Sequence, residues 1–312
     1  MTASADDCGQ GRLRGVLRER EPMSRHTSWR TGGAARRYYQ PADIDDLAVF
    51  LGQLATEEPV YWIGLGSNLL VRDGGLPGTV ICTNGVLSGM QREEGDRVYV
   101  EAGVPCAKVA RFCAREDLEG AEFLVGIPGT MGGALAMNAG AFGGETWSLV
   151  SEVETVGRDG RRHRRLPQEF RIAYRSVSGR AGEWFASARL ALRRGDGAAS
   201  LQRIKELLAR RAETQPMGQA SCGSVFRNPP GDYAGRLIES CGLKGYRIGG
   251  AHISEKHANF IINEGSATAA DIEALIGHAI KTVQQEHGIG LVPEVHIVGE
   301  RRESERGENR DE

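Results

Sequence analysis

The chain has 312 residues, enough for two or three domains with cores of their own. Its 40% hydrophobic and 26% charged residues are ordinary for a globular fold, and no apolar run reaches the eighteen residues of a membrane-spanning helix. A net charge of -2 argues neither for nor against a polyanionic partner.

Residues 1 to about 20 are polar and arginine-rich and read as a weakly ordered arm. Asp43 caps a helix carrying Ile44, Leu47, Ala48 and Leu51 at helical spacing. Val60 to Ile63 is a short buried strand, Leu69 to Val71 another, and Thr79 to Cys82 and Val98 to Ala102 two more. Pro105 opens an amphipathic helix through Val109, Phe112 and Cys113. Val150 to Val156 and Ala186 to Leu192 alternate as strands, with Asp159-Gly160 as a hairpin turn. The run Arg161-Arg-His-Arg-Arg165 beside that turn has no interleaved aromatics, so a solvated hairpin tip is favoured over a polyanion patch.

Ser200 is placed to cap a helix with Leu201, Ile204, Leu207 and Leu208, and a domain boundary is expected at 195 to 200. Thr268 and Asp271 form a capping box ahead of the stripe Ile272, Leu275, Ile276, Ala279, Ile280 and Val283, and Gly288 ends that helix. Leu291 to Val298 reads as a final strand with Glu294 inside it, and residues 300 to 312 as a charged, solvated tail. The fold class is therefore α+β.

The 43 glycines are concentrated, with clusters at 64–66, 74–78, 126–133 and 140–144. Gly64-Leu-Gly-Ser-Asn68 follows a strand as a Rossmann fingerprint does, but the chain continues as strand and turn where that fingerprint demands a helix. Gly126 to Gly140 is rich in small residues that let backbone amides approach an anion. Together the two loops suit a dinucleotide diphosphate held without a Rossmann helix. The six cysteines show no Cys-x-x-Cys pair or zinc spacing, and the seven histidines no metal or triad pattern. No metal is expected. With no apolar leader at the start, the cysteines are expected as reduced thiols in the cytoplasm.

Ser224 lies between Gly223 and the pair Arg227-Asn228, with no histidine or aspartate beside it. That setting suits a proton donor better than a nucleophile. A serine bonding its own turn is the stronger reading of the local sequence alone.

The ordered series His26-Thr-Ser-Trp-Arg-Thr-Gly-Gly33, Gly64 to Val71, Gly126 to Gly133, Met137 to Gly143, Tyr174-Arg-Ser176, Gly223 to Pro229, Ser254-Glu-Lys-His-Ala-Asn-Phe260 and Pro293-Glu-Val295 closely resembles the UDP-N-acetylenolpyruvoylglucosamine reductase (UDP-N-acetylmuramate dehydrogenase) family over about 22 to 299. It is similar to the shorter branch, which lacks an extra tyrosine-bearing loop. The resemblance implies a two-subdomain FAD-binding region of the vanillyl-alcohol oxidase type at 21–197, divided near 85, and an α+β substrate domain at 198–299. It implies FAD and NADPH as cofactors and reduction of an enolpyruvyl ether on a UDP-sugar. The partner is then a small molecule, with no nucleic acid or membrane, in a monomer or weak oligomer.

By the same resemblance Gly64, Gly66, Ser67 and Asn68, with Gly126, Ile127, Pro128, Gly129, Thr130, Gly132, Gly133, Asn138, Ala139 and Gly140, hold the cofactor. Ser224 protonates the substrate carbon, Arg175 offers a charged fork to the developing charge, and Glu294 is the active-site glutamate. A carboxylate in an apolar strand is costly unless paired or protonated, so for Glu294 a structural ion pair stays equally open. Tyr174, Gln215, Arg227 and Asn228 are candidate substrate contacts; for Tyr174 a core position is an equal reading. Cys222 is a rival thiol donor, although a small buried cysteine is favoured. The family often has lysine at Arg227, and the proline common after Gly32-Gly33 is absent here. Two rivals are an oxidase of the same superfamily and a non-catalytic nucleotide-sugar-binding protein; retention of Ser224, Arg175 and Glu294 speaks against both.

Overall fold

The computed structural model of the protein describes residues 12–302. The outer arm, 1–11, and most of the expected tail, 303–312, lie outside the described residues. The inner arm differs from expectation. Val16–Pro22 is a strand, paired antiparallel with Ala34–Gln40. It is held by the main-chain ladder, with its side chains mostly exposed, which is why its composition alone reads as an arm.

Those two strands continue into a four-stranded sheet in the order Val16–Pro22, Ala34–Gln40, Leu76–Cys82, Val60–Ile63, the last two junctions parallel. Helix α1, Ile44–Gln53, covers it, and the Asp43 carboxylate accepts from Asp46 N at 2.8 Å to cap it as expected. Leu47, Phe50 and Leu51 pack there with Tyr39 and Ile81.

A second, antiparallel sheet has the order Arg162–Arg165, Val150–Gly157, Glu183–Ala191, Arg97–Glu101, Met90–Glu93. Helix α2, Cys106–Arg115, follows Pro105 and buries Val109 and Cys113 against it. A short helix α3, Met131–Met137, starts where the second glycine loop ends. Helix α4, Gly197–Thr214, corrects one expectation. Its cap is Asp196, which accepts from Ala198 N and Ala199 N; Ser200 is inside the first turn and donates to Glu122 Oε1 at 2.6 Å. Ile204 and Leu207 join the core of this second sheet, while Ala212 O near the helix end accepts from Lys256 Nζ at 2.6 Å.

The remaining residues form a third core. Helices α5, Ala234–Ser240, and α6, Ala269–His287, pack with a three-stranded sheet of Arg247–Ile248, Ala251–Ile253 and Ile261–Asn263. The Thr268–Asp271 capping box and the left-handed Gly288 bound α6 as expected. Trp29 and Leu70 from the N-terminal part belong to this same core. The Trp29 indole donates to Ile261 O at 2.8 Å, and Arg72 pairs with Glu273 on α6 at 2.9 Å.

The chain then returns. His296–Val298 pairs in parallel with Leu69–Val71. The final strand is therefore shorter than its apolar pattern suggests, and Glu294 precedes it. Glu300 closes the return through main-chain bonds with Gly74 and Gly75, so residue 300 is not yet tail. The basic run at 161–165 is neutralised: Arg161 faces Asp159, Arg162 faces Glu154 and Asp45, Arg164 faces Glu152, and Arg165 faces Glu183.

Candidate active site

A cavity of about 1080 Å³ is walled by both glycine loops, the 179–185 segment, the end of α4 and the segments around Ser224 and Glu294. The first loop is tight because of its packing. Gly66 has a φ of 61° and lies against the backbone of His26, so a side chain there would collide with main chain. Ser28 N donates to Gly66 O at 3.1 Å, which explains the His26–Gly33 motif: it is the floor of this loop. The second loop is tied to 102–106 by main-chain bonds, with Cys106 N donating to Gly129 O at 2.9 Å and Gly132 N to Ala102 O at 2.8 Å. The two loops meet where Gly64 faces the Thr130 hydroxyl, with no room for a Cβ between them. Thr130 is one of the cavity's lining residues, but its hydroxyl is enclosed and has no hydrogen-bond partner among the described residues.

The Ser224 segment and Glu294 are brought together by backbone pairing. Glu294 N donates to Val225 O at 2.7 Å and Arg227 N to Val292 O at 2.9 Å. Asn68 Nδ2 of the first loop donates to Glu294 O at 3.1 Å, and His296 N donates to Asn68 O. Glu294 thus lies between the first glycine loop and the serine segment.

Arg175 arrives from elsewhere. It occupies the two-residue turn between the strands Arg171–Ala173 and Ser176–Ser178, in the left-handed region with a φ of 53°. Its Nη2 donates to Gly140 O at 2.9 Å, and its Nε lies 3.1 Å from Glu294 Oε1. The latter is an ion pair without hydrogen-bond alignment, for Arg175 Nε has no hydrogen-bond partner among the described residues. Burial raises the Glu294 carboxyl above its ordinary range and outweighs the attraction of Arg175 and Arg227. A carboxyl whose affinity for protons is raised by burial, beside a permanent cation, is a combination suited to proton-coupled chemistry.

The chain matches two family models. One, described as FAD binding domain, covers residues 35–165; the other, described as UDP-N-acetylenolpyruvoylglucosamine reductase, C-terminal domain, covers 215–298. The UDP-N-acetylenolpyruvoylglucosamine reductase of Methylococcus capsulatus is 62% identical over 287 residues, spanning 92% of this chain and 94% of that protein. The reductase of Alkalilimnicola ehrlichii is 62% identical over 286 residues, 92% of this chain and 96% of that protein. This chain belongs to the UDP-N-acetylenolpyruvoylglucosamine reductase family. The crystal structure of UDP-N-acetylenolpyruvylglucosamine reductase (MurB) from Thermus caldophilus superposes with a TM-score of 0.77 at 34% identity, covering 92% of this chain and 100% of that one. The α+β fold expected from the residues is the fold of this reductase family.

The residues named for this family's site fall into two groups. Ser224, Arg175, Glu294, Gln215 and the glycine-loop residues other than Asn138 line the cavity. Asn138, Tyr174, Arg227 and Asn228 do not. Asn138 is a buried left-handed residue that ends α3 and whose amide reaches Glu145 Oε2 and Ala173 O. Its small polar side chain tolerates that backbone and braces the arginine hairpin from behind. Tyr174 is 48% exposed, its ring under the Arg175 guanidinium at 5.2 Å, so neither a core nor a cavity position holds. Asn228 accepts from Ala234 N at 3.1 Å at the start of α5. Arg227 reaches the site through its charge on Glu294.

Cys222 lines the cavity but burial pushes its thiol up to about 12, and its Sγ points at Leu69 O and Gly66 O, so it is a poor acid. Arg211 and His296 are among the wall residues that the sequence did not single out. Arg211 of α4 has its guanidinium half-buried against Gln215 Oε1 at 3.0 Å, and His296 contacts Met137 Sδ at 3.1 Å. His296 was readable: it stands two residues after Glu294, and that spacing shares a face in extended chain. Arg211 looks like any surface arginine of an amphipathic helix, so local pattern carries no signal for it.

Among the described residues, no group of three or more His, Cys, Asp or Glu is placed to hold a metal, and no helix is long and apolar enough to cross a membrane.

Proposed function

We propose that this chain is an NADPH-dependent FAD enzyme that reduces the enolpyruvyl ether of UDP-N-acetylenolpyruvoylglucosamine to UDP-N-acetylmuramate, a step of peptidoglycan precursor synthesis. The observation that carries this reading is one cavity in which Ser224, Arg175 and Glu294 meet two bare glycine loops. The residues fit FAD. The Gly64–Asn68 and Gly126–Gly133 loops would hold its diphosphate, their small residues letting backbone amides approach it.

FAD, when bound and reduced by NADPH, supplies a hydride to the vinyl methylene of the substrate. The chain has two tasks in that step. Negative charge develops on the adjacent carbon and spreads into the substrate carboxylate, where the Arg175 fork opposes it. Arg175 is oriented for this by its bond to Gly140 O and its ion pair with Glu294. The carbon is then protonated by Ser224 Oγ–H: the O–H bond breaks as the C–H bond forms. A neutral hydroxyl suffices because a carbanion-like acceptor is strongly basic. Glu294, whose affinity for protons is raised by burial, lines the same cavity and is suited to return a proton to the serine oxygen. Gln215 and Arg211, paired at the end of α4, are suited to the polar part of the substrate. We read the protein as a cytoplasmic monomer or weak oligomer with a small-molecule substrate and no nucleic-acid or membrane partner; the ion-paired basic run supports the latter.

Ser224→Ala tests the assignment. NADPH-driven bleaching of the flavin should be unchanged, while reoxidation by the enolpyruvyl substrate slows by about 10²–10⁴-fold, the usual worth of a general acid. Equal loss in both half-reactions would show that Ser224 serves the fold or the cofactor instead.

A further inference from the structure

We infer that Asn138 is a positioning residue for Arg175, acting through the two carbonyls that fix the arginine's backbone and its guanidinium. This rests on the catalytic reading of Arg175 above. The starting observation is backbone strain. Arg175 is the second residue of a two-residue hairpin turn and is left-handed, with a φ of 53°, while Tyr174 before it has no positive φ. The second place of such a turn favours glycine or asparagine, because a larger side chain is crowded there. An arginine persists in that conformation only where its surroundings over-determine it. Packing supplies little of this, for all three side chains of the strand before the turn, Arg171–Ala173, are exposed.

The polar ties converge on Asn138, which is 1% exposed. Its Nδ2 donates to Ala173 O at 3.3 Å, on the last residue before the turn, and to Glu145 Oε2 at 2.9 Å. Its Oδ1 accepts from Trp147 N at 3.1 Å. The side chain therefore ties the exposed strand to the buried end of α3. The backbone of Asn138 has a second task. Left-handed at a φ of 42°, it ends α3 and turns the chain, and two residues later Gly140 O accepts from Arg175 Nη2 at 2.9 Å. Gly140 also leaves room for the guanidinium, since a Cβ there would lie 3.2 Å from Arg175 Nη1. The two tasks together select asparagine. Glycine and aspartate tolerate the left-handed turn, but glycine has no side chain to donate and an aspartate carboxylate only accepts.

The bland reading is a helix cap that satisfies its own polar surroundings. A double-mutant cycle separates it from the proposal. Full-length holoenzyme of wild type, Asn138→Gly, Asn138→Asp, Arg175→Lys and the double variant Asn138→Gly with Arg175→Lys would be followed through both half-reactions by stopped-flow. Flavin absorbance and thermal unfolding check the fold. Asn138→Gly keeps the left-handed turn and removes the amide. Reoxidation by the enolpyruvyl substrate should slow by about 10²-fold, the cost of a displacement of about 1 Å at a reacting group. Bleaching by NADPH should stay as in wild type. In the Arg175→Lys background the same change should slow reoxidation by less than about threefold, because the fork it positions is already gone. Asn138→Asp keeps the turn and the acceptor for Trp147 N but loses the donor to Ala173 O, so it should lose as much reoxidation as Asn138→Gly. Equal losses in the two backgrounds, a loss shared by both half-reactions, or wild-type reoxidation in Asn138→Asp would overturn the proposal in favour of the cap. Loss of the fold in both Asn138 variants would do the same. Arg175→Lys reoxidising as fast as wild type would instead refute the catalytic reading of Arg175, and this inference with it.

Discussion

Replacing Asn259 by alanine should disable Ser224 without touching it. Asn259 is 3% exposed and its amide pairs with both main-chain groups of Phe226. Oδ1 accepts from Phe226 N at 2.9 Å, and Nδ2 donates to Phe226 O at 2.9 Å. Its own carbonyl accepts from Val225 N at 2.9 Å. Residues 292–294 pair with the opposite edge of the same segment. The serine segment is thus an irregular stretch with one isolated bridge, Phe226 to Pro293, and Asn259 holds it with a side chain that imitates backbone.

Asn259→Ala leaves an N–H and a C=O unmet at Phe226, which is only 2% exposed. Each such orphan costs about 1–3 kcal/mol, so the pair costs about 2–6 kcal/mol. Against the usual total of about 5–15 kcal/mol the variant still folds, with a lowered Tm. A displacement of about 1 Å at a catalytic group can cost roughly 10²-fold, so substrate reduction should slow by about that factor. Bleaching by NADPH should not change. Asn259→Asp is the control: it keeps the acceptor for Phe226 N but sets a second acceptor against Phe226 O, and should rescue little. Urea unfolding gives the stability loss, and stopped-flow at a temperature well below Tm gives the two half-reactions. A stability loss under about 1 kcal/mol together with unchanged substrate reduction would refute the reasoning.

Arg175→Lys should impair turnover strongly, because a point charge does not replace the fork; steady-state kinetics near wild type would remove Arg175 from the chemistry. Glu294→Gln should be inactive yet more stable than wild type at neutral pH. The carboxyl's affinity for protons is raised by burial from an ordinary 4.5, so the folded state binds more protons than the unfolded state above that value. Wild-type stability therefore falls as pH rises from about 4.5 through the raised value, and the glutamine variant escapes this fall. Parallel stability curves for the two proteins from pH 4 to 8 would contradict it.

Much of the architecture was legible locally. Asp43, the Thr268–Asp271 box, Gly288 and the apolar stripe of α6 act within a few residues, so spacing alone reports them. The same holds for the first glycine loop, whose continuation as the strand Leu69–Val71 excludes a Rossmann helix. Ser200 shows where local reading stops: its competitor for the cap, Asp196, sits four residues earlier, and its true partner, Glu122, is far away in the chain. Asn138, Tyr174 and Asn228 lie within motifs that match the family, yet their side chains make local contacts off the cavity wall, because neighbours in a turn or at a helix start point in different directions.

Residue types, element periods and the presence of two bare loops were determined by the sequence itself, because they depend on steric and hydrogen-bonding preferences of adjacent residues. Which loop faces which was decided by tertiary structure alone. Asn68, Arg175, Val225 and Glu294 meet only because the last strand returns to pair with Leu69–Val71 while the serine segment pairs beside Glu294. Contacts between segments so far apart leave no period in the chain, and the burial that raises the Glu294 carboxyl's affinity for protons exists only once they close around it.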